Sequence, residues 1–132
     1  MSDHRSLPLT DLSEDEKQAR LLLDEAFARM RKTDAGYCEG ELLCIDGELR
    51  LGLRRPDRTG AEASFLRAIE IAHRQGAKAV QLRAAIHIAR LWSADGKRRE
   101  ARDLLVGVHG WFNEGFATEP LMEAKGLIES LA

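Results

Sequence analysis

One spacing of apolar residues occurs three times along this 132-residue chain, and it constrains the fold more than any other sequence feature. In each copy a small residue is followed by a large apolar residue four positions later and by another small residue three positions after that. The copies are Ala19, Leu23 and Ala26; Ala61, Phe65 and Ala68; and Ala101, Leu105 and, slightly degraded, Val108. Successive copies begin 42 and 40 positions apart. A fixed period of this length is typical of stacked supersecondary units, so the pattern predicts binding rather than catalysis.

The apolar periodicity between and within these copies predicts helices throughout, because no segment alternates apolar and polar residues with a period of two. Ser13 and Glu16 form a capping box before the first helix, and Gly76 is suited to end the third. Gly47 lies inside the second helix, which indicates that a neighbouring helix approaches closely there. The predicted helices cover residues 13–32, 35–53, 61–75, 77–95, 97–114 and 118–131. The expected fold is all-α, with a flexible leader over residues 1–12 and one domain of about six antiparallel helices over residues 13–132.

Composition narrows the classes of function. No run approaches 18 apolar residues and the first ten residues contain no apolar segment of signal-peptide length, so we expect no membrane span and a cytoplasmic location. Residues 1–49 carry 6 basic and 12 acidic groups, residues 50–102 carry 13 and 5, and residues 103–132 carry 1 and 5. The basic middle segment favours either an acidic partner or charge complementarity within the chain together with solvated helix faces.

The residues that most often carry chemistry form no recognisable site. Cys38 and Cys44 are six residues apart, which is not a zinc-ligand spacing and turns a helix by about 240°, so a disulfide is not expected. The four histidines form no local metal-binding pair, and no nucleophile elbow or phosphate-binding loop is present. Basic residues 97–102 lack interleaved aromatic residues, so nucleic acid is not an expected partner. The sequence predicts no catalytic, metal-binding or cofactor-binding residue.

The helical pattern resembles a tetratricopeptide-type repeat, in which a helix pair carries a leucine–glycine pair and a tyrosine on its first helix and an A-x3-F motif on its second. Aligned on Ala101, the later unit has Ile88 and Ala89 at the leucine–glycine position and Trp92 at the tyrosine position. Aligned on Gly47, the earlier unit matches less well, because Asp46 replaces the leucine and Arg50 the tyrosine. The resemblance implies a solenoid of helical hairpins.

A narrower resemblance covers residues 17–132. The runs that carry it are Ala63–Ala72 with Gln75–Ala77, Leu82–Ala85, Ala89–Trp92, Gly110–Phe116 and Ala124–Leu127. They are similar to the C-terminal repeat region of large bacterial signalling ATPases, which carry a nucleotide cyclase or a winged-helix DNA-binding domain. Because this chain contains no phosphate-binding loop, the resemblance implies an interaction module in bacterial signalling or transcriptional regulation and no enzymatic activity.

The tetratricopeptide resemblance also implies a candidate partner-binding groove, since the first helix of each pair lines the concave surface of such arrays. On the predicted fourth helix Arg83, His87 and Arg90 share one face, and on the second helix Glu41 and Glu48 share another. One hypothesis is that the basic stripe binds acidic or C-terminal groups of a partner peptide. The alternative is that Glu41 and Glu48 pair with Arg83 and Arg90 between adjacent helices.

Two hypotheses about function follow from this sequence. The first is a non-catalytic protein–protein interaction module, and the second is a helical domain that senses a small molecule. The first helix carries only the second half of a repeat, and a terminal helix of a solenoid leaves an apolar face unless it is capped. We therefore expect docking on a protein partner or self-association, including a homodimer through the first helix.

Overall fold

The computed structural model describes residues 12–33, 35–110 and 119–131, and all regular structure within these residues is helical. The helices are α1 (Glu14–Thr33), α2 (Glu39–Leu51), α3 (Arg58–Gln75), α4 (Lys78–Ala94), α5 (Arg98–His109) and α6 (Glu119–Leu131), with a short 3₁₀ turn at Gly36–Cys38. The predicted all-α class is therefore confirmed for the described residues. None of these helices is both long and apolar enough to cross a membrane.

Local capping sets several helix ends. The backbone N–H of Ser13 donates to Glu16 Oε1 at 2.8 Å and the backbone N–H of Glu16 donates to Ser13 Oγ at 3.2 Å, which is the predicted capping box. Gly76 follows α3 with a left-handed φ of 69°, as expected of a helix-ending glycine. The third helix begins earlier than the predicted residue 61, because the side chain of Asp57 accepts a hydrogen bond from the backbone N–H of Gly60.

The limits of two further helices also differ from the prediction. The second helix was expected over residues 35–53, but the chain first forms the 3₁₀ turn and α2 ends at Leu51. The fifth helix was expected to reach Glu114, whereas α5 ends at His109. Residues 1–11, 34, 111–118 and 132 lie outside the described residues. Most of the Gly110–Phe116 run and all of the predicted leader except Leu12, which is buried, fall in these ranges.

Specific contacts show that α2 and α3 run antiparallel, as do α3 and α4. Gly40, near the start of α2, packs against Ala72 near the end of α3, and Gly47 packs against the ring of Phe65. Arg58, at the start of α3, pairs with Asp95 just after α4 at 3.0 Å. By contrast, α2 and α4 run in the same direction, because Gly40 also faces Val80 near the start of α4.

Two apolar clusters form the core. The first joins α1 to α4 and includes Leu23, Phe27, Leu43, Phe65 and Ile88. The second joins α4 to α6 and includes Leu82, Ala89, Leu105 and Leu121. Phe65 is fully buried, as its place in the repeat predicted. Residues of α4 belong to both clusters, so this helix connects them.

The apolar side of the second helix was predicted only in part. Of the four residues expected to face the core, Leu53 is buried and Leu42 and Leu49 are half-buried against the first cluster, but Ile45 is exposed. The buried side of α2 consists of Gly40, Leu43, Cys44, Asp46, Gly47 and Arg50. The helix is therefore rotated from its apolar stripe, and two charged residues lie in its core-facing surface.

Candidate functional site

Three of the five predicted groove residues form one cluster between α2 and α4. Arg83 donates to both carboxylate oxygens of Glu48, with Nε at 2.8 Å from Oε2. His87 Nε2 lies 2.9 Å from the same Oε2 atom, and its ring stacks on Phe65 with centroids 4.6 Å apart and planes 10° from parallel. Burial raises the pKa of Glu48, but the hydrogen bonds from Arg83 and His87 outweigh it and hold that pKa below its usual value.

The other two predicted residues do not join this cluster. Arg90 pairs with Glu123 of α6, and Glu41 is exposed on the surface of α2. The predicted alternative of pairing between adjacent helices therefore describes Glu48 with Arg83, but Arg90 takes a partner that was not predicted. A peptide that binds along these cations must compete with carboxylates of the chain itself.

A larger ionic network lies inside the fold and was not predicted. Asp46, which is fully buried, accepts hydrogen bonds from Arg20 of α1 at 2.5 Å, from Arg50 at 2.9 Å and from the hydroxyl of Ser64 on α3. Burial raises the pKa of Asp46, but its three hydrogen-bond donors outweigh that effect and leave it lowered. Arg50 also donates a hydrogen bond to Asp57 at 2.6 Å. The N-terminal cap of α3 is therefore connected to the buried side of α2.

The cysteine thiols and the clusters of titratable residues offer no second site. Both thiols are free, and burial raises the pKa of Cys44 to about 12, so this thiol stays protonated and unreactive. Within the described residues no group of three or more histidines, cysteines and carboxylates is arranged to hold a metal ion.

An open apolar groove lies between α1 and the start of α2, and we call it the α1–α2 groove. Its volume is about 450 Å³. Its apolar lining consists of Leu22, Ala26 and Met30 on α1 and Cys38 and Leu42 on the opposite wall, and Glu25 and Arg29 stand at its edge. The exposed fraction of Leu22 is 59%. The groove is thus an apolar surface that remains exposed in the folded chain.

The repeat indicates what kind of group fits the groove wall formed by α1. A shift of 42 residues, which superposes Ala19 on Ala61, maps three α1 positions onto α3: Leu22 onto Ser64, Ala26 onto Ala68 and Met30 onto Ala72. All three α3 residues are buried. They are covered by α2, because Gly40 packs against Ala68 and Ala72 and Asp46 accepts a hydrogen bond from Ser64. The α1 wall is therefore the counterpart of a surface that a helix covers elsewhere in the same chain.

The opposite wall gives the same result. The same 42-residue shift superposes Gly47 on Ala89 and maps Cys38 onto Val80 and Leu42 onto Ala84. Val80 packs against Gly40 of α2 and Ala84 is fully buried. Both walls of the groove thus correspond in the sequence to surfaces that contact another helix.

The sequence pointed to this site only in part. The incomplete first repeat predicted an uncovered face on the first helix, and the exposed Leu22 lies on it. The contribution of Cys38 and Leu42 was missed, because their wall depends on the rotation of α2. Comparisons with protein-family models, with curated proteins and with solved structures gave no match to this chain.

Proposed function

We propose that this chain is a non-catalytic protein–protein interaction module, a tetratricopeptide-like stack of helical hairpins that binds an amphipathic helix in the α1–α2 groove. The observation that carries the proposal is that both groove walls correspond to surfaces that a helix covers elsewhere in the chain. An amphipathic helix in a hydrophobic groove is a common mode of peptide recognition. The bound helix would take the place beside α1 that α2 takes beside α3.

The wider setting of the proposal comes from the sequence resemblance. Bacterial signalling or transcriptional regulation is the setting in which similar repeat regions occur, and we include it in the proposal on that basis. A cytoplasmic location belongs to it as well, since two unpaired thiols suit a reducing compartment.

The groove rather than the Glu48 cluster is the proposed docking surface for an energetic reason. Arg83 and His87 are already bonded to Glu48, so a partner that binds them must first replace an interaction within the chain. Covering Leu22 and Met30 removes apolar surface from water and breaks no contact. The free energy available from a partner is therefore larger at the groove.

The test is affinity capture from a lysate of the native host with matched variants as bait. Leu22→Glu places a charge in the groove, and Leu66→Glu changes an exposed leucine of α3 that lies outside it. We expect a protein retained by the wild type to be lost with Leu22→Glu and kept with Leu66→Glu, and its direct binding to be confirmed with purified components. Retention by Leu22→Glu would contradict the groove.

Arg83→Glu tests the binding surface that the sequence suggested. If Arg83 mainly holds Glu48, reversing its charge lowers the free energy of unfolding and leaves partner capture unchanged. Loss of the partner from a stably folded Arg83→Glu bait would instead move the docking surface to the cluster on α4.

A second candidate function is the sensing of a small molecule, and the groove volume favours it. Ligand sites commonly occupy roughly 300–1,000 Å³ and are mostly apolar, and the groove falls in that range. Thermal unfolding measured against a panel of metabolites separates the two functions. A reproducible rise in Tm with one ligand class, absent in Leu22→Glu, would favour sensing.

A further inference from the structure

We infer that the helix that occupies the α1–α2 groove is α1 of a second copy of this chain, so that two copies form a symmetric, antiparallel dimer. This inference rests on the proposed function and names the partner of the proposed site. It is carried by the distribution of apolar and charged residues along α1.

Helix α1 presents both halves of such an interface. Its groove wall contains Leu22, whose exposed fraction is 59%, and Ala26 and Met30 one and two turns further along the same wall. A second side of the helix is already used, since Leu23 and Phe27 are buried against the core. One contact between two α1 helices therefore covers the groove wall of both copies at once.

A two-fold axis beside Ala26 gives this contact a consistent register. In an antiparallel pair centred on residue 26, Leu22 of one copy meets Met30 of the other, four positions from the axis on either side. Ala26 is small, so two α1 helices can approach closely at the axis, where side-chain size sets the distance between helices. The contact closes on itself, as most soluble homo-oligomers do.

The charges at the edge of the groove complement each other under the same symmetry. Glu25 and Arg29 form an exposed pair within one copy at 2.7 Å. In the antiparallel arrangement Glu25 of each copy comes within reach of Arg29 of the other. The charges thus favour the antiparallel dimer.

Other occupants are less consistent with these residues. The opposite end of the stack exposes Met122 on α6, but α6 in the groove of another copy is a head-to-tail contact, which continues into a ring or a filament. Residues 1–11 contain Leu7 and Leu9 and are a third occupant to test. Neither provides a partner for both Glu25 and Arg29 by symmetry.

The experiment measures the oligomeric state of the full chain by sedimentation velocity between about 5 and 500 µM, because an α1 of 20 residues offers less than the roughly 800 Å² per partner of a standard interface. We expect a reversible dimer. Leu22→Glu should weaken it by about tenfold or more. Glu25→Arg and Arg29→Glu should each weaken it, because each places like charges across the axis.

The decisive experiment mixes the Glu25→Arg variant with the Arg29→Glu variant. Glu25→Arg carries two cations at the groove edge and Arg29→Glu carries two anions, so the mixture should form a heterodimer more readily than either variant self-associates. The matched control is Glu70→Arg on α3, which reverses an equally local and exposed pair and should leave the dimer unchanged. Circular dichroism and thermal unfolding verify that every variant is folded.

Each contrary result would overturn the inference. A wild-type monomer at all concentrations, a dimer unaffected by the α1 variants, or a mixture that fails to associate excludes a dimer through α1. A monomer that dimerises only after Leu7→Glu/Leu9→Glu would show that the chain's own leader occupies the groove. If the chain is monomeric as bait and still captures another protein through Leu22, the second copy is excluded as the occupant of the groove. The proposed function would then stand without this inference.

Discussion

At the scale of single residues, Asp46 connects three helices through the hydrogen bonds of its two carboxylate oxygens. It is fully buried and bonded to Arg20 of α1, Arg50 of its own helix and Ser64 of α3. A buried charge of this kind is stable when it is paired and hydrogen-bonded. Its removal leaves each buried arginine with one partly exposed carboxylate, Asp24 for Arg20 and Asp57 for Arg50.

The first prediction concerns this residue. Asp46→Ala should lower the free energy of unfolding by about 3–5 kcal/mol, because Arg20 and Arg50 then remain buried beside an apolar group. The measurement is urea unfolding at pH 7, monitored by circular dichroism. Asp24→Ala is the matched control, since Asp24 bonds Arg20 at the partly exposed end of the network and its loss should cost about 1 kcal/mol or less. Equal costs for the two variants would contradict a special role for the buried carboxylate.

The sequence contains an indication of this network that apolar periodicity does not reveal. Asp46 and Arg50 stand where the repeat pattern has a leucine and a tyrosine, and both of those positions face the interior of a helix pair. Two opposite charges four residues apart at interior positions indicate an ion pair inside the core. Apolar periodicity alone treats both residues as solvent-facing. For that reason it predicts a core-facing side of α2 that includes Ile45.

At the scale of helices, Gly47 decides how closely α2 and α3 pack. A methyl group at this position would lie 2.6 Å from Cζ of Phe65. The ring cannot move away easily, because Phe65 is fully buried and stacked against His87. The close approach expected from a glycine inside a helix is confirmed, and its neighbour is the central residue of the second repeat copy.

The second prediction follows from this contact. Gly47→Ala should destabilise the protein by about 1–3 kcal/mol despite the better helix propensity of alanine, because the added methyl overpacks the core. Gly107→Ala is the matched control, since Gly107 lies inside α5 with no atom near the position of a new Cβ. It should stabilise by about 0.5–1 kcal/mol. Chemical unfolding of both variants checks the difference in sign.

Helix existence was predictable from the sequence and helix limits were less so. The capping box at Ser13 and Glu16 and the glycine at residue 76 are local signals, and both were read correctly. The start of α3 depends on which of several polar residues caps it, and Asp57 was not identified as that residue. The side of α2 that faces the core depends on contacts with α1 and α3, which no local pattern specifies.

At the scale of the whole molecule, oppositely charged segments of the sequence contact each other between helices. Acidic residues of the first segment contact basic residues of the middle one, with Glu48 bonded to Arg83 and Glu16 accepting from the backbone N–H of Arg54 at 2.7 Å. Glu123 of the last segment pairs with Arg90. Charge complementarity within the chain therefore accounts for part of the basic middle segment. The sequence predicted that complementarity in general terms, but the partners follow from the packing.

The last prediction is a loss of stability in acid. The pKa values of Glu16, Asp46 and Glu48 are all lowered in the folded protein. For Glu16 the main causes are hydrogen bonds from the backbone N–H groups of Ser13 and Arg54, and for the other two the hydrogen bonds outweigh burial. The unfolded chain, in which such groups titrate near 4, then binds more protons than the folded one. Stability is therefore fully present above about pH 5.5 and decreases as the pH falls through the lowered values.

Glu48 allows this pH dependence to be assigned to a particular pair. Replacing its carboxylate by an amide in Glu48→Gln removes a titrating group whose folded and unfolded pKa values differ. The free energy of unfolding of this variant should lie below that of the wild type at pH 7 and approach it by about pH 3.5, so its slope against pH is shallower. Glu70→Gln, which changes an exposed carboxylate paired only locally with Arg67, is the control and should keep the wild-type slope. Urea unfolding at half-unit intervals from pH 7 to 3.5 measures all three curves, and parallel curves for Glu48→Gln and the wild type would show that the pair with Arg83 and His87 contributes nothing to the acid response.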